Sequence, residues 1–184
     1  SGVPFPYLLD VREADALTVD AVAASSRAID IFAGGGLTVS GAVRSGGYLS
    51  LGSDLWVWGR APIETSFGRI AIAAPEVNLR GPVRVLDTIP DERRIDISIR
   101  ATDDDFDDNN DPRQALFVGD RIAAVNNVQL VSENGSIGGR GLVTADTLLA
   151  TAAKNVILHT DVYRAKVDIQ TPTITAPGTT GIIA

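Results

Sequence analysis

The sequence predicts an all-β fold: a parallel β-helix (β-solenoid) with coils of about 20 residues and one acidic loop insertion. Three observations predict it. Short alternating segments recur at near-constant spacing, residues 29–41 reading IDIFAGGGLTVSG, 49–59 LSLGSDLWVWG and 70–81 IAIAAPEVNLRG. Eighteen glycines and nine prolines supply many corners. Apolar residues at helical period are scarce. A β-sandwich is the alternative, since it also joins many short strands, but its hairpins vary in length whereas this frame keeps its phase.

Each copy is an apolar-x-apolar pair, a short turn, a second such pair and one more residue before glycine. First-strand positions Ile29, Leu49 and Ile70 are spaced by 20 and 21 residues, and second-strand positions Leu37, Leu55 and Val77 by 18 and 22. One coil cannot bury its inward aliphatics alone, so coils stack about 4.8 Å apart into ladders of like residues. Upstream, VREADALTVDAVAASSR (11–27) is the stretch closest to a helix pattern; it reads as strand, a distorted first coil or a cap. Downstream, IDISI (95–99), IAAVNNVQL (122–130), LLATAAKNVIL (148–158) and VDIQTPTIT (167–175) are weaker copies. The expectation is one solenoid segment over 1–184, with coils at 28–100 and 116–184 and the acidic insert at 101–115. Strand-like sequence continues to Ile182 and Ile183 with no covering helix, so neighbouring segments of a longer chain, or further copies, are expected to stack end to end.

The frame I-x-I-x-x-G-x-x-L-x-V-x-G resembles the coils of filamentous-haemagglutinin-like exoproteins and of other giant bacterial surface proteins with right-handed parallel β-helix shafts. The likeness covers most of residues 29–175 outside the insert and is one of pattern, without the secretion-domain signature. It implies a right-handed coil, an extracellular or bacterial cell-surface location, an elongated shape and an adhesive or scaffolding role.

Composition narrows the partners. The net charge is −7, and only two of sixteen basic residues, Lys154 and Lys166, are lysines. No basic cluster appears, which argues against nucleic acid and anionic membrane. No apolar run approaches the roughly 20 residues that span a bilayer, so membrane insertion is not expected. Absence of cysteine excludes disulfides, thiolate metal sites and a cysteine nucleophile, and fits either a reducing or an oxidising compartment. The Ser1-Gly2 start suggests a processed chain or a piece of a longer one.

The insert RATDDDFDDNNDPRQA (100–115) carries six aspartates and two asparagines. Oxygen ligands at that density suit Ca²⁺, with Asp103, Asp105, Asp107, Asn109 and Asp111 as candidate ligands. The alternation resembles the start of an EF-hand loop, then departs from it: Asp108 stands where glycine belongs and Gln114 where a bidentate glutamate belongs. A solvated acidic loop is the competing reading.

No enzyme is expected, polysaccharide cleavage being the least favoured of three functions. Asp30, Asp96 and Asp168 share the outward slot of an I-D-I motif, but intervals of 66 and 72 residues separate them by about three coils each. That exceeds the reach of a carboxylate pair. His159, the lone histidine, reads as a corner residue. The glycine runs at 34–36 and 138–141 lack the following helix that a phosphate cradle needs.

Both tryptophans lie in LWVWG (55–59). Alternation puts Trp56 and Trp58 on the face opposite Leu55 and Val57, outward, with Arg80 placed to lie over Trp58 in a cation–π contact. An outward pair is either covered, by a partner or by the N-terminal VPFPYLL, or stacks on a glycan. A structural or adhesive shaft is thus the first expectation, and a carbohydrate-binding β-helix module the second.

Overall fold

The computed structural model describes residues 8–24, 28–87, 89, 91, 93–103 and 114–170. The chain winds as a parallel β-solenoid of about 7 turns. Each of the early turns has three strands, not two. The first is β1 (Leu8–Glu13), β2 (Leu17–Val19) and β3 (Val22–Ala24); the second is β4 (Ala28–Ala33), β5 (Leu37–Val39) and β6 (Val43–Ser45). The third is β7 (Tyr48–Ser53), β8 (Trp56–Gly59) and β9 (Ile63–Thr65), and the fourth β10 (Ile70–Ala74), β11 (Glu76–Leu79) and β12 (Val83–Val85). Next come β13 (Ile95–Ala101), β14 (Leu116–Val118) and β15 (Ile122–Ala123), then β16 (Asn127–Ser132) and β17 (Ile137–Gly138). Two long strands follow, β18 (Leu142–Ala152) and β19 (His159–Ile169), and none of the described residues is helical.

Every ladder is parallel, which removes the sandwich alternative: Ile29 pairs Leu49, Leu49 pairs Ile70 and Ile70 pairs Ile97. Six strands, β2, β5, β8, β11, β14 and β17, form one wall. First and third strands line the others, and they merge into one thirteen-stranded sheet because β18 and β19 run without a break round the corner between them. Inward columns are aliphatic and fully enclosed, as with Ile29, Leu49, Ile70 and Ile97, or Leu37, Val57, Val77 and Leu116. Each such side chain contributes about 1.5–3 kcal/mol by leaving water.

The third strand escaped the repeat because its inward slots are half polar. Val43 is followed inward by Ser45, and Ile63 by Thr65, all buried. Ser45 Oγ donates to Tyr48 O at 3.1 Å, and Thr65 Oγ1 lies in hydrogen-bond range of the Gly47 and Phe67 carbonyls. These hydroxyls serve corner carbonyls that the strands leave unpaired. Residues 11–24 belong to a regular turn, with Leu17 paired to Leu37 and Val22 to Val43, so the coil pattern already holds from Leu8 among the described residues.

Two connections lengthen without disturbing register. Residues 86–94 lead from β12 to β13, and 102–115 from β13 to β14, yet Val77 still pairs Leu116 and Val83 pairs Ile122. Asp96 departs from its expected outward slot. It sits at a bulge between Ile95 and Ile97, which turns its side chain into complete burial. Arg94 bonds Asp96 Oδ1 at 2.5 Å and Asp87 Oδ2 at 2.8 Å, while Asn126 N donates to Asp96 Oδ2 at 3.0 Å. Asn126 Nδ2 also reaches the Ile89 carbonyl at 3.2 Å, tying the 86–94 connection down. Burial works against the Arg94 charge, but bonds to Asp96 and Asp87 and their negative charges outweigh it and hold the guanidinium above its ordinary pKa.

Candidate functional site

The six-stranded wall presents both tryptophans outward, as the alternation requires, but with a register two residues from the one the spacing suggested. Val57, not Leu55, pairs with Leu37 and Val77, at intervals of 20 and 20; Leu55 is 51% exposed at the corner. A shift of two leaves every side chain on its face and changes only its neighbours. Trp58 accordingly lies between Thr38 and Asn78, and Trp56 beside Glu76.

The indole rings stand 5.4 Å apart, tilted by 37°. Trp56 lies over Gly36 on the preceding turn, where an added Cβ would come within 2.0 Å of its ring. Its Nε1 is buried without a hydrogen-bond partner among the described residues. Trp58 Nε1 donates to Glu76 Oε1 at 3.3 Å. Both rings are half-buried, so they pack against their own wall and keep an outer edge free.

The cation over Trp58 is Arg60, with Cζ 5.5 Å from the ring centroid, and not Arg80. Arg80 follows Arg60 by one turn: Arg60 N donates to Val39 O at 2.9 Å and Arg80 N to Gly59 O at 2.6 Å. Arg80 Nε reaches Asn78 Oδ1 at 3.4 Å. Trp58, Arg60, Asn78 and Arg80 together line a shallow groove of about 110 Å³. Sequence reasoning named Trp56, Trp58 and Arg80 and missed Arg60, Asn78 and Glu76. A signal for Arg60 was present in the 20-residue echo of RAPI (60–63) by RGPV (80–83).

Other candidates do not converge. Asp30 pairs with Asp10 and Ser50 on the first-strand wall, and Asp168 with Thr151 on the exposed last strand. Asp96, fully buried against the partly exposed Arg94, shares no surface with either. His159 opens β19 and is exposed. Of the proposed Ca²⁺ ligands only Asp103 is described: it is exposed, and its N–H donates to Pro75 O at 3.0 Å. Asp105, Asp107, Asn109 and Asp111 lie outside the described residues. Among the described residues no group of three or more His, Asp or Glu could hold a metal ion, and no helix is long and apolar enough to cross a membrane.

No protein-family model, curated protein or solved structure matches this chain. Fold and wall together define a parallel β-solenoid with an aromatic and cationic lateral groove.

Proposed function

We propose that this chain is a structural shaft segment of an exported, adhesive bacterial surface protein of the filamentous-haemagglutinin type. One observation carries the reading: the inward ladders hold the same register before and after both long connections, as a continuous rod requires. Seven turns at about 4.8 Å make a rod of about 34 Å. Among the described strands β1 pairs only with β4 and β19 only with β18, and such edges favour end-to-end stacking. Sedimentation and small-angle scattering over a concentration series test this. Elongated species growing by whole chains are expected; one compact species at every concentration overturns self-stacking. In single-molecule pulling, a shaft resists and then yields turn by turn, and collapse at negligible force overturns load bearing.

A second reading, a carbohydrate-binding wall, is favoured by the tryptophan pair beside Arg60 and Arg80. Binding of oligosaccharides lost in a Trp56→Ala/Trp58→Ala variant would support it, and equal binding by parent and variant would remove it.

A further inference from the structure

Arg60 and Arg80 differ from the ion-paired arginines of the solenoid. Arg12, Arg44, Arg84, Arg94 and Arg100 each have a carboxylate within 4 Å, whereas neither Arg60 nor Arg80 has one among the described residues. Two like charges one turn apart repel each other, and among the described residues no carboxylate lies within 4 Å to neutralise either of them. An anionic group between them would reverse that repulsion.

We propose that the groove lined by Trp58, Arg60, Asn78 and Arg80 binds the carboxylate or sulfate of an acidic saccharide. The proposal rests on the carbohydrate-binding reading and adds the ligand's charge. Guanidinium forks match planar or tetrahedral oxyanions, and the Asn78 amide adds a neutral partner. Trp58 supplies an apolar ring edge against which the C–H face of a sugar packs. Its row with Trp56, 5.4 Å away, extends that contact beyond one ring. Glu76, bonded to Trp58 Nε1, places negative charge at that edge of the indole and disfavours an anion there.

The wall also disfavours an extended acidic peptide. β8 is paired on both sides, to β5 and β11, so its backbone groups are committed and recognition falls to side chains alone. The groove is shallow and opens outward, suiting one unit of a longer chain more than an enclosed small molecule.

Because the only two tryptophans of the chain sit here, their fluorescence reports on the site directly. The full chain is titrated with oligogalacturonate, sulfated dextran, neutral maltooligosaccharide, polyglutamate and sodium sulfate. Oligogalacturonate or sulfated dextran, whichever matches the anion held, is expected to shift the emission saturably. An Arg60→Gln/Arg80→Gln variant with unchanged circular dichroism is expected to bind it about tenfold more weakly or worse. Equal binding of the neutral oligosaccharide overturns the charge requirement and leaves the carbohydrate reading standing. Equal binding of polyglutamate, or of sulfate alone, overturns the saccharide. No emission change with any probe overturns both readings.

Discussion

Arg94 and the pair Arg60–Arg80 occupy neighbouring corners of one solenoid in opposite electrostatic settings. Arg94 is clamped between Asp87 and Asp96, whose side chains are 5% and 0% exposed, in a network that anchors a long connection. Arg60 and Arg80 project at the edge of an aromatic groove with no carboxylate in reach among the described residues. The difference teaches how a solenoid divides its charges. A guanidinium whose partners arrive from its own loop and the next turn holds structure, whereas one whose neighbour 20 residues away is also basic has no such tie, which is what the proposed anion site requires.

Breaking the enclosed site has the largest effect. Asp96→Ala leaves Arg94 with Asp87 alone and removes the acceptor of the buried Asn126 N–H, at about 2–4 kcal/mol. The melting temperature should fall by roughly 4–16 °C. Asp96→Asn, which keeps the shape, should lose less, and an unchanged melting curve for the alanine variant would remove the network from any structural role. The pH response follows from the raised Arg94 pKa. Such a group contributes in full below its unfolded-state value and loses its contribution only as pH rises through the higher folded value. Arg94 is therefore expected to add no transition to stability between about pH 6 and 10; Arg94→Gln should leave the shape of that profile unaltered while lowering it throughout.

The open site should behave in the opposite way. Arg60→Gln/Arg80→Gln is expected to change stability by no more than about 0.5 kcal/mol while weakening anion binding about tenfold or more. A large loss of stability would mean that these arginines hold the wall. Gly36→Ala acts on the aromatic half of the groove. Its methyl would enter the Trp56 ring, so overpacking of about 1–3 kcal/mol and an altered tryptophan emission are expected. An unchanged spectrum would mean that Trp56 does not seat on Gly36.

The same contrast marks what was legible in the sequence. Ile29, Leu49 and Ile70 gave the first strand because a long strand carries several aliphatics at period two. The third strand was silent because Ser45 and Thr65 fill inward slots with hydroxyls that serve carbonyls, a role no hydropathy pattern encodes. Outward Trp56 and Trp58 were legible from alternation alone. Their neighbours were not, since Leu55 and Val57 fit the inward pattern equally well and only the backbone pairing selects Val57. Asp96 read as outward because a bulge inserts one residue without changing composition.

The smallest expected effect separates charge from the aromatic row. On the third-strand wall Glu64 lies between Arg44, at 2.9 Å, and Arg84, at 3.7 Å, so that one carboxylate serves both guanidinium groups. The side chains of Arg44 and Arg84 are 59% and 42% exposed, and Glu64→Gln should cost at most about 1 kcal/mol, less as salt rises. It would, however, leave Arg44 and Arg84 uncompensated two turns apart with no tryptophan beside them. The variant is expected to gain weak, salt-sensitive attraction for oligogalacturonate by sedimentation while the emission response stays that of the parent. If the new column alone matched the affinity of the Arg60–Arg80 groove, the indoles would contribute nothing to recognition, and the groove would be an electrostatic patch. A parent groove that binds more tightly, and keeps more of its affinity in high salt, would instead assign the surplus to Trp58, since contact with an apolar ring edge is not screened by ions.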